Sequence, residues 1–134
     1  MNVLAALAFG LAAGLRTVTP EAVYFGLHGG GAWRIVFPLA AIGEYVGDLL
    51  PNVPARTEIG PLLARCASGA VMGWIAARFP GAVAGVLCAL AGAFGGLRMR
   101  TSLMRSIGAI PAALLEDALA IGLAFGGMAA LRLI

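Results

Sequence analysis

Residues 107–131 read IGAIPAALLEDALAIGLAFGGMAAL, and only Glu116 and Asp117 interrupt the apolar run. A helix needs roughly 20 apolar residues to cross the hydrocarbon core of a bilayer, so this stretch is long enough to span one. A barrel strand would alternate apolar and polar side chains. Here neighbours such as Leu114 and Leu115, or Ala129 and Ala130, are apolar together. A bilayer offers the backbone no hydrogen-bond partners, and a helix supplies them all from within. This segment sets the expectation for the chain: an all-α integral membrane protein.

Composition extends the reading. The 134 residues are 61% hydrophobic and only 11% charged, with a mean hydropathy of +0.98. Soluble domains carry about a quarter of their residues as charges, and so few polar groups could not cover the apolar surface in water. Four more apolar segments are expected, at about Val3–Leu15, Trp33–Leu50, Pro61–Arg78 and Ala82–Leu97. That makes about five transmembrane helices in a single domain, 1–134. Pro51-Asn52-Val53-Pro54 and Phe79-Pro80-Gly81 punctuate them, and Arg98–Ser106 reads as a loop. The mixed stretch Arg16–Ala32 allows one short helix, Glu21–His28, with Thr19 as N-cap and Pro20 at its first position. Met1–Leu15 has the apolar character of a signal-peptide core. No basic residue precedes it and Arg16 follows it, so it is expected to stay within the fold.

Two patterns speak to packing. Glycines four apart recur in each segment: Gly10 and Gly14, Gly43 and Gly47, Gly69 and Gly73, Gly81 and Gly85, Gly92 and Gly96, Gly122 and Gly126. That spacing lets helix backbones approach closely. The second pattern is a self-match. Gly10-Leu-Ala-Ala-Gly14-Leu15-Arg16-Thr17-Val18-Thr19 shares five identities with Gly92-Ala-Phe-Gly-Gly96-Leu97-Arg98-Met-Arg-Thr101, and Pro38…Glu44 matches Pro111…Asp117. The halves then run about 1–54 and 82–134, with a linker helix at about 61–79. Two spans, one linking span and two spans imply an inverted repeat, with any binding site at the repeat interface.

The basic residues are nine arginines, and there is no lysine. They are scattered singly, which excludes a nucleic-acid face and suits interface anchoring. With the N-terminus inside, Arg56, Arg98, Arg100 and Arg105 would share one face and Arg16, Arg34, Arg78 and Arg132 the other. Arg65 tips this even balance only slightly towards that orientation. Cys66 and Cys88 lie apart in small-residue stretches, as apolar thiols do, and they form no metal or disulfide framework. No catalytic set, metal spacing or phosphate loop is present, so neither an enzyme nor a cofactor is expected.

The chemistry-bearing candidates are the charges inside apolar runs. Glu44, Glu116 and Asp117 each fall about ten residues into a segment, near mid-membrane. A carboxylate there costs on the order of 2.5–3.5 kcal/mol on insertion scales and persists only if paired, protonated or wetted. Asp48 follows Glu44 by one turn on the same face and near the segment end. Glu116 and Asp117 point about 100° apart. Two roles fit them: a polar centre handling a proton or cation, or structural pairs of Glu44 or Asp117 with Arg16 or Arg98. Arg16 and Arg98 each close a glycine-paired helix and suit headgroups or an anionic solute. Thr17 and Thr19, beside Pro20, suit an unwound segment lining a cavity. His28 has no partner in view, and Ser68 reads as packing glue.

The motifs Gly14-Leu15-Arg16-Thr17 with Thr19-Pro20, Gly43-Glu44-x-x-Gly47-Asp48-x-x-Pro51-x-x-Pro54-x-Arg56, and Arg65-x-x-Ser68-Gly69-Ala70 resemble a family of small bacterial membrane proteins classed as a domain of unknown function. The resemblance covers nearly the whole chain and implies a multi-pass inner-membrane location. It brings no activity and no site residue. In size and style the chain also resembles small fluoride channels and small multidrug exporters, without their signature motifs. The function expected is a small transporter or channel for an ion or small polar solute. Its sites would be Glu44, Asp48, Glu116, Asp117, Arg16, Arg98, Thr17 and Thr19, and its partners membrane lipids and further copies of the chain. The alternative is a non-transporting scaffold that binds lipids or proteins.

Overall fold

Asn2 opens the first helix, its side chain accepting a hydrogen bond from the Ala5 amide at 3.2 Å. In the computed structural model, which describes residues 1–50 and 54–132, the described residues form helices and connections with no strand. The helices are α1 (Val3–Leu15), α2 (Thr19–His28), α3 (Trp33–Gly47), α4 (Ile59–Ile107) and α5 (Ala109–Ala130). α1 keeps its expected bounds and length. α2 has Pro20 in its first turn, but Val18 rather than Thr19 precedes it. The expected stop at Pro51-Asn52-Val53 lies outside the described residues.

α4 is one run of 49 residues that doubles back. Ala77 (φ −149°, ψ 26°) and Arg78 (φ 56°, ψ −142°) leave the helical region, and Arg78 takes a positive φ that glycine usually supplies. The two limbs, 59–76 and 79–107, form a hairpin in which Gly69 and Gly73 face Gly85 and Gly81. The turn thus precedes the expected Phe79-Pro80-Gly81. Pro80 sits in the first turn of the second limb, where a missing N–H costs nothing. The expected loop Arg98–Ser106 is helical. Its Leu, Met and Arg residues are good helix formers, and the true stop is Gly108, at φ 92°, the usual device for ending a helix.

Contacts fix the directions of the helices. α1 runs parallel to limb 79–107: Gly10 meets Gly85 and Cys88, and Gly14 meets Ala89 and Gly92. It runs antiparallel to limb 59–76, with the Asn2 amide on the Ala76 carbonyl at one end (3.0 Å) and Arg65 on the Gly14 carbonyl near the other (2.8 Å). α5 is antiparallel to α1 as well, linked by Asn2 to Ala130 and by Arg16 to Asp117. α2 descends, bringing Val23 and Tyr24 against the core of Ala5, Ala6, Phe9, Met72, Ala76, Ala77 and Met128. α3 climbs back along α2, with Phe25 stacked on Phe37 at 4.8 Å.

These directions overturn the inverted repeat. Inversion requires the matched Gly-Leu-Arg stretches to run in opposite senses. Instead Gly14 lies against Gly92 and Leu15 against Gly96, side by side and parallel. The cause is α2. Read as part of a mixed connection, it is an additional descending pass, and one extra pass reverses the sense of everything after it. Arg16 therefore arrives at the same end as Arg56 and Arg100, not at the opposite face.

Two helices, α4 and α5, are long and apolar enough to cross a membrane. Limb 79–107 extends about 43 Å and α5 about 33 Å at 1.5 Å per residue. Large apolar side chains face outward along several helices, among them Ile35, Leu39, Leu63, Phe79, Leu87, Ile110 and Leu114, while Arg16, Glu21, Arg56, Arg65 and Glu116 are buried.

Four of the six glycine pairs do the expected work. Gly10/Gly14, Gly69/Gly73, Gly81/Gly85 and Gly92/Gly96 sit at helix contacts, whereas Gly43/Gly47 and Gly122/Gly126 face open space. A Cβ on Gly73 would overlap the Gly81 carbonyl oxygen, and overpacking of this kind costs about 1–3 kcal/mol or more. Gly73→Ala is therefore expected to lower the thermal unfolding midpoint in detergent, followed by circular dichroism. Gly122→Ala, with nothing to strike, leaves it unchanged or raises it. Equal midpoints for the two variants would refute the hairpin contact.

Candidate functional site

The alternating directions carry four arginines and four carboxylates to one end of the bundle. Arg16 follows the last residue of α1. Glu44 lies in the last turn of α3, and Asp48 caps that helix. Arg56 precedes α4, Arg65 sits on its first limb and Arg100 on its second, while Glu116 and Asp117 lie in the first half of α5. The carboxylates are thus not midway along their helices: α3 ends at Gly47, only three residues after Glu44.

Each charge meets an opposite one. Arg16 Nη1 donates to Asp48 Oδ2 at 2.8 Å, and its Nη2 contacts Asp117 Oδ1. Its guanidinium also lies 5.3 Å from the centre of the Tyr45 ring, a distance that suits a cation–π contact. Arg56 grips Glu116 with both terminal nitrogens, Nη2 to Oε2 at 3.0 Å. This two-pronged pairing is the strongest geometry open to an arginine. Arg100 Nη1 reaches Asp48 Oδ2 and lies 3.6 Å from Glu116 Oε2. Arg65 Nη2 is 3.8 Å from Glu44 Oε1.

Glu44 has a second role. Its two oxygens accept from the amides of Thr17 (2.7 Å) and Val18 (3.0 Å), the free N–H groups at the start of α2. A carboxylate there satisfies orphan donors and complements the positive end of the helix dipole. Thr19 is drawn aside into a hydrogen bond between its hydroxyl and that of Tyr45, at 2.7 Å.

The cluster walls a cavity of about 590 Å³. Its polar lining includes Thr17, Glu44, Asp48, Arg56, Arg65 and Arg100, and its apolar lining includes Leu50, Pro54, Pro61, Leu97 and Met104. Small-molecule sites run to about 300–1,000 Å³ and combine apolar walls with a few placed polar groups. This cavity has that size and that make-up.

Of the residues expected from sequence, Glu44, Asp48 and Thr17 line the cavity. Arg16, Glu116 and Asp117 back it through ion pairs. Arg98 does not belong: it is exposed and makes no ion pair among the described residues. Two residues on, about half a turn around the same limb, Arg100 takes its place. Arg56 and Arg65 were read as loop anchor and topology marker, respectively, yet both are buried. An arginine within the apolar segment 61–78, as Arg65 is, carries the same burial argument as the carboxylates. Glu21 is also buried, beside the Ser68 hydroxyl, and does not line the cavity. His28 is exposed.

Comparison with protein-family models, with curated proteins and with solved structures finds no match for this chain.

Removing one partner of a buried pair costs about 3–5 kcal/mol, whereas replacing both by apolar groups is often neutral. Glu116→Leu alone is accordingly expected to destabilise the protein strongly, and adding Arg56→Met to recover much of the loss. Denaturation of the two single variants and the double variant measures this. Additive losses would mean that the pair is not coupled.

Proposed function

We propose that this chain is a multi-pass protein of the cell inner membrane that takes a small ion or polar solute into its charge-lined cavity and passes it on. The single observation that carries the reading is the placement of polarity. Eight charged side chains gather on and behind the wall of a cavity of about 590 Å³, and many large apolar side chains lie outside. In water such an outer surface is costly and rare. In lipid it is the expected one, and the paired charges are what a bilayer allows in its interior. The lengths of α4 and α5 support the same location. Lipids would cover the outer face, and the open glycine faces of α3 and α5 offer room for a second copy of the chain.

In this reading Glu44 and Asp117 hold the cavity in its resting arrangement through Arg65 and Arg16. One observation favours a different class, a scaffold without transport: every carboxylate of the cluster has an arginine at hand. Flux separates the two. Glu44→Gln and Asp117→Asn proteins that retain their helical spectrum are expected to lose about tenfold or more of solute flux in proteoliposomes, the scale set by one charged contact. Undiminished flux in both variants rules out these carboxylates as part of the path. Absence of flux in the unaltered protein favours the scaffold.

A further inference from the structure

The pairing around the cavity is uneven. Arg56 holds both oxygens of Glu116, while Arg16 and Arg100 converge on Asp48. Arg65 is the exception. Its nearest carboxylate oxygen is 3.8 Å away, beyond hydrogen-bond reach. Its Nη1 donates to the Gly14 carbonyl at 2.8 Å and lies 3.4 Å from that of Ala13. Among the described residues its Nε is buried with no partner, and the residue as a whole is 6% exposed.

The Thr17 and Val18 amides tether both oxygens of Glu44 and hold the carboxylate 3.8 Å from Arg65. Among the described residues the Nε–Nη2 edge of Arg65 thus has no oxygen within hydrogen-bond reach. That edge presents two parallel N–H groups, the geometry that matches a carboxylate or a phosphate. The balance of the lining agrees. Arg56, Arg65 and Arg100 face Glu44 and Asp48, three positive groups against two negative. A cation approaching Asp48 would meet the two arginines already bonded to its Oδ2, and one approaching Glu44 would meet Arg65 at 3.8 Å.

We propose that the cavity binds a small oxyanion, a carboxylate or phosphate group, on the Nε–Nη2 edge of Arg65, with the Thr17 hydroxyl and Arg100 on the adjoining wall. This rests on the reading of the cavity as a solute site and names its class of ligand. The oxyanion belongs either to a free solute or to an anionic lipid headgroup.

The test is calorimetric titration of the full chain in an uncharged detergent with inorganic phosphate and with acetate. Thermal unfolding runs beside it in phosphatidylcholine vesicles with and without phosphatidylglycerol. Saturable binding is expected, weakened about tenfold or more in Arg65→Gln and unchanged in Arg34→Gln, whose side chain lies outside the cavity. Glu44→Gln removes the nearest competing charge while keeping an oxygen for the α2 amides, so it is expected to tighten binding severalfold. A purely structural Arg65 predicts no such gain. Should Arg65→Gln fail to fold, Glu44→Gln decides alone, and unchanged or weaker binding overturns the proposal. Free phosphate or acetate binding that depends on Arg65 marks a solute. Stabilisation by phosphatidylglycerol alone, lost in Arg65→Gln, marks a headgroup. No Arg65-dependent response to any of these probes overturns the assignment. If flux of a cation or neutral solute survives that result, only the ligand class falls. If oxyanion binding stands while the unaltered protein carries no flux of the bound anion or of any other solute, the transport reading falls instead.

Discussion

A charge taken out of water must meet its opposite, and in this protein that requirement reaches every helix. Moving an ion from water to a medium of low dielectric costs several kcal/mol even after relaxation. Arg16, Arg56, Arg65 and Glu116 are all buried, so each must be answered locally. The answers come from different elements: α3 supplies Glu44 and Asp48, α5 supplies Glu116 and Asp117, and the two limbs of α4 supply Arg65 and Arg100. α2 joins through its amides, held by Glu44. Only the far half of the bundle, with its core of alanine, Phe9, Met72 and Met128, is built without ions.

The two halves use different physics. At the ion-free end, small residues bring α1 and the hairpin so close that backbone touches backbone, and dispersion contacts are dense. At the charged end arginine side chains hold the helices apart and leave a cavity. The taper from tight glycine contact to open polar space is continuous along α1, which passes from Gly10 to Arg16 in under two turns.

Much of this was legible in the residues. The apolar runs located the helices, and α1 ends where its composition says it should. The need of charges in apolar runs for partners pointed to five residues of the cluster, Arg16, Glu44, Asp48, Glu116 and Asp117, and the unwound stretch before Pro20 pointed to Thr17. Partner choice was not legible, because it depends on the parity of passes. Reading α2 within a mixed connection sent Arg16 to the wrong end, separated it from Arg56 and Arg100, and produced an inversion the fold does not have. Pro20 and Glu21 at the start of that segment, with Gly29–Gly31 after it, are the start and stop of a pass. Arg98 and Arg100 differ by two residues on one helix, and only the contacts of limb 79–107 show which of them faces inward. The loop expected at 98–106 failed for a related reason: three arginines looked like a connection, while the residue that ends the helix is Gly108.

α3 packs chiefly on α2 and carries Glu44 and Asp48 at its far end. Asp48 is bound by Arg16 from α1 and by Arg100 from α4, and Glu44 is bound to the amides that begin α2. The helix cannot slide or tilt at that end without unpairing two arginines and uncapping a helix in the same motion. Its position and the electrostatic potential of the cavity wall are therefore coupled: moving one alters the other.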